Sequence, residues 1–168
     1  EEMYKLFQKE DGVFDFMKAY GGKSSSFSKF MKNANFIIPT SRLLAQVVEM
    51  LDKIDMQDKD TKGDVYEYML SKIATAGSNG QFRTPRHIIK MMVEMMQPTL
   101  DDIICDPSAG SCGFLVGAAE YIQKNYKQEI LKPAVQEHYL NEMFLGMEFD
   151  PTMIRIGAMN LILHGIEN

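Results

Sequence analysis

The chain has 168 residues, 45% of them apolar and 24% charged, enough for one ordinary globular domain or parts of two. Its net charge of −5 argues against a strong nonspecific DNA binder acting alone, though a basic partner would be free to supply the phosphate contacts. No apolar run is long enough to cross a bilayer, and Glu1-Glu2-Met3-Tyr4-Lys5 is unlike a signal peptide, so a cytoplasmic, membrane-free protein is expected.

Residues 1–40 read as short helical pieces marked by Phe7, Phe14, Phe16 and Tyr20, with a joint at Gly21-Gly22-Lys23-Ser24-Ser25-Ser26. Residues 1–34 suggest no role. Pro39-Thr40-Ser41 opens a helix carrying Leu43, Leu44, Val47, Val48 and Leu51 on one face. Asp52 to Lys62 is a charged loop or helix end. Gly63-Asp64 starts a second helix with Val65, Tyr66, Tyr68, Met69, Leu70 and Ile73, stopped by Gly77-Ser78-Asn79-Gly80. Thr84-Pro85 is a cap and first-turn proline for a third helix bearing Ile88, Ile89, Met92, Val93 and Met96, with Pro98 beyond its end. Of the fourteen methionines, Met91, Met92, Met95 and Met96 fall at helical spacing, which fits core packing.

Near residue 100 the pattern changes to strand 103–106, a helix from about 113, strand 144–149 and a helix from 151 capped by Asp150-Pro151. In that last helix Ile154, Ala158, Leu161 and Ile162 face inward. The run Ile103-Ile104-Cys105 reads as a buried strand. Two parallel strands leave sheet edges and apolar surface exposed, so a piece of a longer protein is expected. Cys105 and Cys112 have no partner pair, and His87, His138 and His164 are scattered; reduced thiols and no metal site are expected.

The most informative stretch is Asp106-Pro107-Ser108-Ala109-Gly110-Ser111-Cys112-Gly113, an acid at a strand end, a small-residue turn and a helix start. Glycine lets backbone approach a ligand closely, and a helix N-terminus offers N–H groups without intrahelical partners. A dinucleotide loop wants G-x-G-x-x-G, whereas only Gly110-x-x-Gly113 is present. A carboxylate at position 106 repels pyrophosphate but suits an ammonium or a sulfonium-bearing amino acid, which favours S-adenosylmethionine over NAD. A tight turn with no ligand is the alternative.

The second strand ends in Glu148-Phe149-Asp150. A carboxylate there can accept both hydroxyls of a ribose. Glu148 is the candidate, because Asp150 is accounted for as a helix cap. The separation from Gly110 is 38 residues against a usual spacing of about 20. The excess fits a polar insertion around Tyr126 to Asn141.

Gly80-Gln81-Phe82-Arg83-Thr84-Pro85-Arg86-His87-Ile88, then Asp106 to Leu115, then Gly146 to Gly165, resemble an N6-adenine DNA methyltransferase, and specifically the modification (M) subunit of type I restriction–modification systems. Gly63 to Leu70 resembles the helical region before the core of those subunits. The resemblance covers roughly residues 35–168. It implies an α/β fold, the start of a Rossmann-like methyltransferase sheet preceded by a helical domain. It further implies a helical region 1–80 and a truncated S-adenosylmethionine-binding domain 81–168.

By the same resemblance Gln81, Phe82, Arg83, Thr84, Pro85 and Arg86 line the cofactor pocket, with Phe82 packing and Thr84 offering polar contacts. Asp106 lies near the methionine ammonium, Ser108, Gly110, Ser111, Cys112 and Gly113 surround the amino-acid part, and Glu148 takes the ribose; Phe149 flanks the adenine. Arg83 stands where many relatives have an aromatic residue, and Cys112 where Gly or Ala is common. The family's catalytic Asn/Asp-Pro-Pro-aromatic motif has no counterpart, since none of the six prolines is followed by another. The resemblance thus implies no catalytic residue in this stretch, and cofactor binding without methylation by the stretch alone. The intact protein would methylate adenine in DNA alongside a specificity subunit, a restriction subunit and a second modification subunit. Two other readings remain: a helical assembly module that docks partner subunits, and an NAD-dependent oxidoreductase, which Asp106 and the missing glycine disfavour.

Overall fold

The computed structural model describes residues 1–19, 26–54, 59–75 and 83–166. They form two compact units, Glu1–Asp58 and Lys59–Asn168, so the Lys59–Thr75 helix groups with the second.

The first unit is helical: α1 (Glu2–Gln8), α2 (Val13–Lys18), α3 (Ser26–Met31) and α4 (Ser41–Asp52). Phe36 gathers Tyr4, Phe7 and Phe14, each ring centroid within 5.7 Å of its own. The Tyr4 hydroxyl donates to Ile38 O at 2.8 Å, fixing the extended approach to α4. Thr40 caps α4 by accepting from Leu43 N at 3.2 Å. Of the expected apolar face only Leu44 is buried; Leu43, Val48 and Leu51 are exposed. The glycine–serine joint at 21–26 lies almost wholly outside the described residues.

The second unit contains α5 (Lys59–Thr75), α6 (Arg86–Met96), β1 (Ile104–Asp106), α7 (Gly113–Asn125), α8 (Pro133–Asn141), β2 (Phe144–Gly146) and α9 (Pro151–Leu163). Helix α5 begins before Gly63 and passes through it. Glycine gives room there: a Cβ would lie 2.5 Å from the His164 imidazole, where α9 meets α5, and the ring would have to shift. The glycine stop at 77–80 lies outside the described residues. Helix α6 starts at Arg86 with Pro85 as its cap and no side-chain cap bond, so Thr84 does not cap it. Asp150 does cap α9, accepting from Thr152 N and Met153 N at 2.7 and 3.1 Å, with Pro151 in the first turn.

The strands pair in parallel, Ile104 opposite Phe144, Cys105 opposite Leu145 and Asp106 opposite Gly146. Side chains alternate across a strand. Ile104 and Phe144 turn towards the helices and pack against all three buried clusters of the unit. Ile103, Cys105 and Leu145 are exposed, so β1 is covered on one face rather than buried on both. Helix α7 supplies a large share of the core through Leu115, Val116, Ala118, Ala119 and Ile122. The expected polar insertion contains α8, whose Tyr139 is buried and stacks edge-on against Phe144 at 5.4 Å. The methionines of α6 do not fill the core: Met91, Met92, Met95 and Met96 are exposed while Ile89 and Val93 are buried.

Helix α9 passes directly beneath the turn after β1. A Cβ on Gly157 would lie 2.6 Å from Cys112 Sγ and 2.9 Å from Gly110 O, the second a backbone atom. Gly157→Ala is expected to destabilise the chain by about 1–3 kcal/mol, as overpacking of a fitted interior does. Urea unfolding monitored by circular dichroism measures it; an unchanged midpoint would mean that the turn yields freely.

Candidate functional site

Parallel pairing brings the C-terminal ends of β1 and β2 to the same side, where ligands bind open α/β sheets. The ladder continues past both strands: Met147 N donates to Asp106 O, and Ala109 N to Met147 O, each at 2.9 Å. The turn is then locked from within. Asp106 Oδ1 accepts from Ser108 N at 3.0 Å, an Asx turn, and Cys112 N donates to Ala109 O at 2.6 Å. Gly110 (φ 51°) and Cys112 (φ 61°) both take the left-handed conformation. Glycine does so without strain, whereas cysteine carries a steric cost of about 1–2 kcal/mol.

Glu148 closes this arrangement. Its Oε2 accepts from Gly110 N at 3.0 Å, and its Oε1 accepts from Phe149 N at 2.7 Å and Asp150 N at 2.9 Å. One carboxylate therefore joins the two strand-end loops. Those N–H groups, Asp150 and Phe149 foremost, hold its pKa below the ordinary 4.5. A Cβ built on Gly110 would meet Ser108 O at 3.9 Å and Glu148 Oε2 at 4.0 Å, ordinary contact distances, so the left-handed φ and not crowding is what favours glycine there. Phe149 beside it is 97% exposed.

The residues proposed from sequence thus divide by place. Asp106, Ser108, Gly110, Ser111, Cys112, Gly113 and Glu148 lie in the joined loops. Arg83 reaches the turn from behind, its Nε donating to Ser111 Oγ at 2.9 Å and its Nη2 to Glu67 Oε2 at 2.7 Å. Arg86 is engaged elsewhere, donating to Asp64 of α5 at 2.7 Å and to Glu120 of α7. Arg83, Thr84, Pro85 and Arg86, together with Gly113 at the end of the turn, border a groove of about 1180 Å³ between α5, α6 and α7, which Asp106 and Glu148 do not line. Gln81 and Phe82 lie outside the described residues. No cluster of His, Cys, Asp and Glu suited to a metal occurs among the described residues.

Sequence reading missed Glu67 and Asn160. Asn160, fully buried in α9, donates from Nδ2 to Glu67 Oε1 at 2.8 Å and to Ser111 O at 2.9 Å. An amide within the apolar run Ile156 to Leu163 of α9 was the available signal, since buried polar groups need partners. Tyr66 adds a bond from α5 to Ile156 O at 3.1 Å, and burial pushes its hydroxyl pKa up to about 12.

Two solution measurements follow from this electrostatic arrangement. A carboxylate with a lowered folded pKa adds stability that is present above 4.5 and lost as pH falls through the folded value. The Glu148 side-chain carbon should therefore titrate below 4.5 by NMR, and the Gly110 amide should lose hydrogen-exchange protection across the same range. A midpoint at or above that value would contradict the joined loops. Burial, with Asp106 and Glu148 nearby, raises the Cys112 thiol to about 12, whereas Cys105 is exposed. Iodoacetamide at neutral pH should label Cys105 well before Cys112, read by peptide mass spectrometry; equal rates would contradict the buried turn.

Residues 57–168 match the family model described as N-6 DNA Methylase. The chain is 32% identical over 145 residues to the type I restriction enzyme StySPI methylase subunit of Salmonella potsdam, covering 81% of this chain and 27% of that protein. It is 33% identical over 141 residues to the EcoEI methylase subunit of Escherichia coli, covering 82% and 26%. The chain therefore spans little more than a quarter of the length of these curated relatives. Among solved structures, a modification subunit of a putative type I restriction enzyme from Vibrio vulnificus superposes with a TM-score of 0.72 at 26% identity, over 94% of this chain and 34% of that one. With more than half its length inside the family match, and with these relatives, the chain belongs to the N-6 DNA methylase family, among the type I restriction–modification methylase (M) subunits.

Proposed function

We propose that this chain forms the S-adenosylmethionine-binding part of a DNA adenine-N6 methyltransferase subunit of a type I restriction–modification system. The observation that carries the reading is the Gly110 N–Glu148 Oε2 bond, which sets a glycine turn and an acid side by side at the ends of neighbouring parallel strands.

In this reading Asp106 faces the methionine ammonium, and Ser108 to Gly113 present backbone N–H groups to the carboxylate. Glu148 accepts the ribose hydroxyls. Its three backbone donors occupy three of about four acceptor sites on a carboxylate, so a diol displaces at least the Gly110 N–H. That exchange frees Gly110 N for the ligand. In this reading Phe149, almost fully exposed, covers the adenine. Arg83 acts on this site through its bond to Ser111 Oγ.

When bound, the cofactor would supply an electrophilic methyl, and Asp106, the Ser108–Gly113 turn and Glu148 would hold its amino-acid and ribose ends. An adenine extruded from the duplex would receive the methyl in the whole protein. A specificity subunit, a restriction subunit and a second modification subunit are the partners in this reading. They also supply the DNA contacts that a chain of net charge −5 does not favour.

Calorimetric titration with S-adenosylmethionine and NAD tests the proposal. Binding of the first alone is expected, weakened about tenfold or more in Glu148→Ala through loss of a charge-assisted bond pair. Binding of NAD instead, or of neither, would overturn it. Without an Asn/Asp-Pro-Pro-aromatic motif the isolated chain is expected to transfer no methyl to duplex adenine; tritium incorporation would refute that division of roles.

A further inference from the structure

The bonds made by Asn160 and Arg83 form one closed ring. Asn160 Nδ2 donates to Ser111 O and Glu67 Oε1; Glu67 Oε2 accepts from Arg83 Nη2; Arg83 Nε returns to Ser111 Oγ. Four separate stretches of chain meet in it: α9, α5, the approach to α6, and the turn. Ser111 is held at its carbonyl and its hydroxyl, and lies between the two left-handed residues Gly110 and Cys112. Asn160 is fully buried, and no donor reaches its Oδ1 among the described residues. Exchanging the amide's ends would set Oδ1 against a carboxylate and a carbonyl, so the two donated bonds fix the orientation.

A left-handed turn at a non-glycine residue persists only where its surroundings over-determine it. Gly157 and Asn160, three residues apart on α9, bear on the same turn: Gly157 by close contact with Gly110 O and Cys112 Sγ, Asn160 by its bond to Ser111 O. A charge-assisted ring resists opening more than isolated bonds do, because each member orients the next.

We propose that Asn160, acting through the ring with Glu67, Arg83 and Ser111, is a positioning residue that holds the Ser108–Gly113 turn in its ligand-binding conformation and makes cofactor binding depend on α5. The inference rests on the S-adenosylmethionine reading of the turn. None of Asn160, Glu67 or Arg83 needs to touch the ligand. Arg83 then serves the pocket indirectly, by restraining Ser111.

The test uses the full 168-residue chain and three variants: Asn160→Leu, Glu67→Gln and the double variant. Thermal melting first sets a temperature at which all remain folded; Glu67→Gln, which keeps side-chain shape at a half-buried site, is the informative single variant if Asn160→Leu does not fold. At that temperature hydrogen exchange of the Ser111, Cys112 and Gly113 amides is measured without ligand, and S-adenosylmethionine affinity by calorimetry. Each single variant should speed exchange at these amides and weaken binding by about tenfold, the effect of losing a hydrogen bond to a charged group. The double variant should be no worse than the poorer single one, because a ring opened once is already open.

A role in stability alone would lower the melting temperature and leave affinity and turn exchange unchanged, which would overturn the proposal. Independent, multiplying effects in the double variant would overturn the ring. If the unsubstituted chain binds no S-adenosylmethionine, the functional reading fails and the positioning role falls with it. The ligand-free exchange data then report separately whether the ring holds the turn.

Discussion

The pairing of Ile104 with Phe144 is the contact on which the second unit depends. A parallel pair of three-residue strands has little ladder of its own, and parallel strands ordinarily need covered faces. Here one residue from each strand enters all three buried clusters, so helices α6, α7 and α8 hold the strands together from one side. A slip of one residue would turn Ile104 outward and Cys105 inward, losing all three clusters at once. Hydrophobic burial thus sets the register, and the register sets where the loops emerge.

The functional geometry follows from that constraint. With Asp106 opposite Gly146, Glu148 lies just beyond β2 at the height of the glycine turn. The span of 38 residues between Gly110 and Glu148 disappears in space because α7 and α8 are both packed back on the pair. Unlike the core, the site is held by polar contacts. The Asx turn at Asp106, the Glu148 bridge and the Ser111 bonds each fix a backbone group that apolar packing alone would leave free.

Sequence patterns made the local features legible where one residue type has one physical use. Asp150-Pro151 reads as a helix start because a short carboxylate caps and proline suits the first turn, and it is one. The strand–turn–helix at 104–113 is legible from an apolar run followed by small residues. Other features were illegible for equally physical reasons. The α6 methionines share helical spacing with Ile89 and Val93, but spacing does not say which stripe meets a neighbour, and the aliphatic stripe does. Gly63 looks like a start signal until His164, a hundred residues on, is seen to need the space. The polar character of 126–141 hid Tyr139, a single aromatic that anchors α8. At the site, Asp106 and Glu148 stood out by position, whereas Glu67 and Asn160, 93 residues apart, acquire meaning only through their contact.

The place of α5 shows why such long-range polar contacts matter to the fold's logic. Its apolar contribution is modest, Leu70 being its one buried large side chain among the described residues. It is fixed instead by Tyr66 to Ile156 O, Asp64 to Arg86, Glu67 to Arg83 and Asn160, and Gly63 against His164. Hydrophobic contact tolerates sliding and rotation; directional bonds to three different segments do not. Half-buried ion pairs add little net stability once desolvation is counted, so their consequence is orientation rather than strength. A helix docked this way is poised to transmit its own position to the turn above α9, because the residue that orients α5 is the residue that holds Ser111.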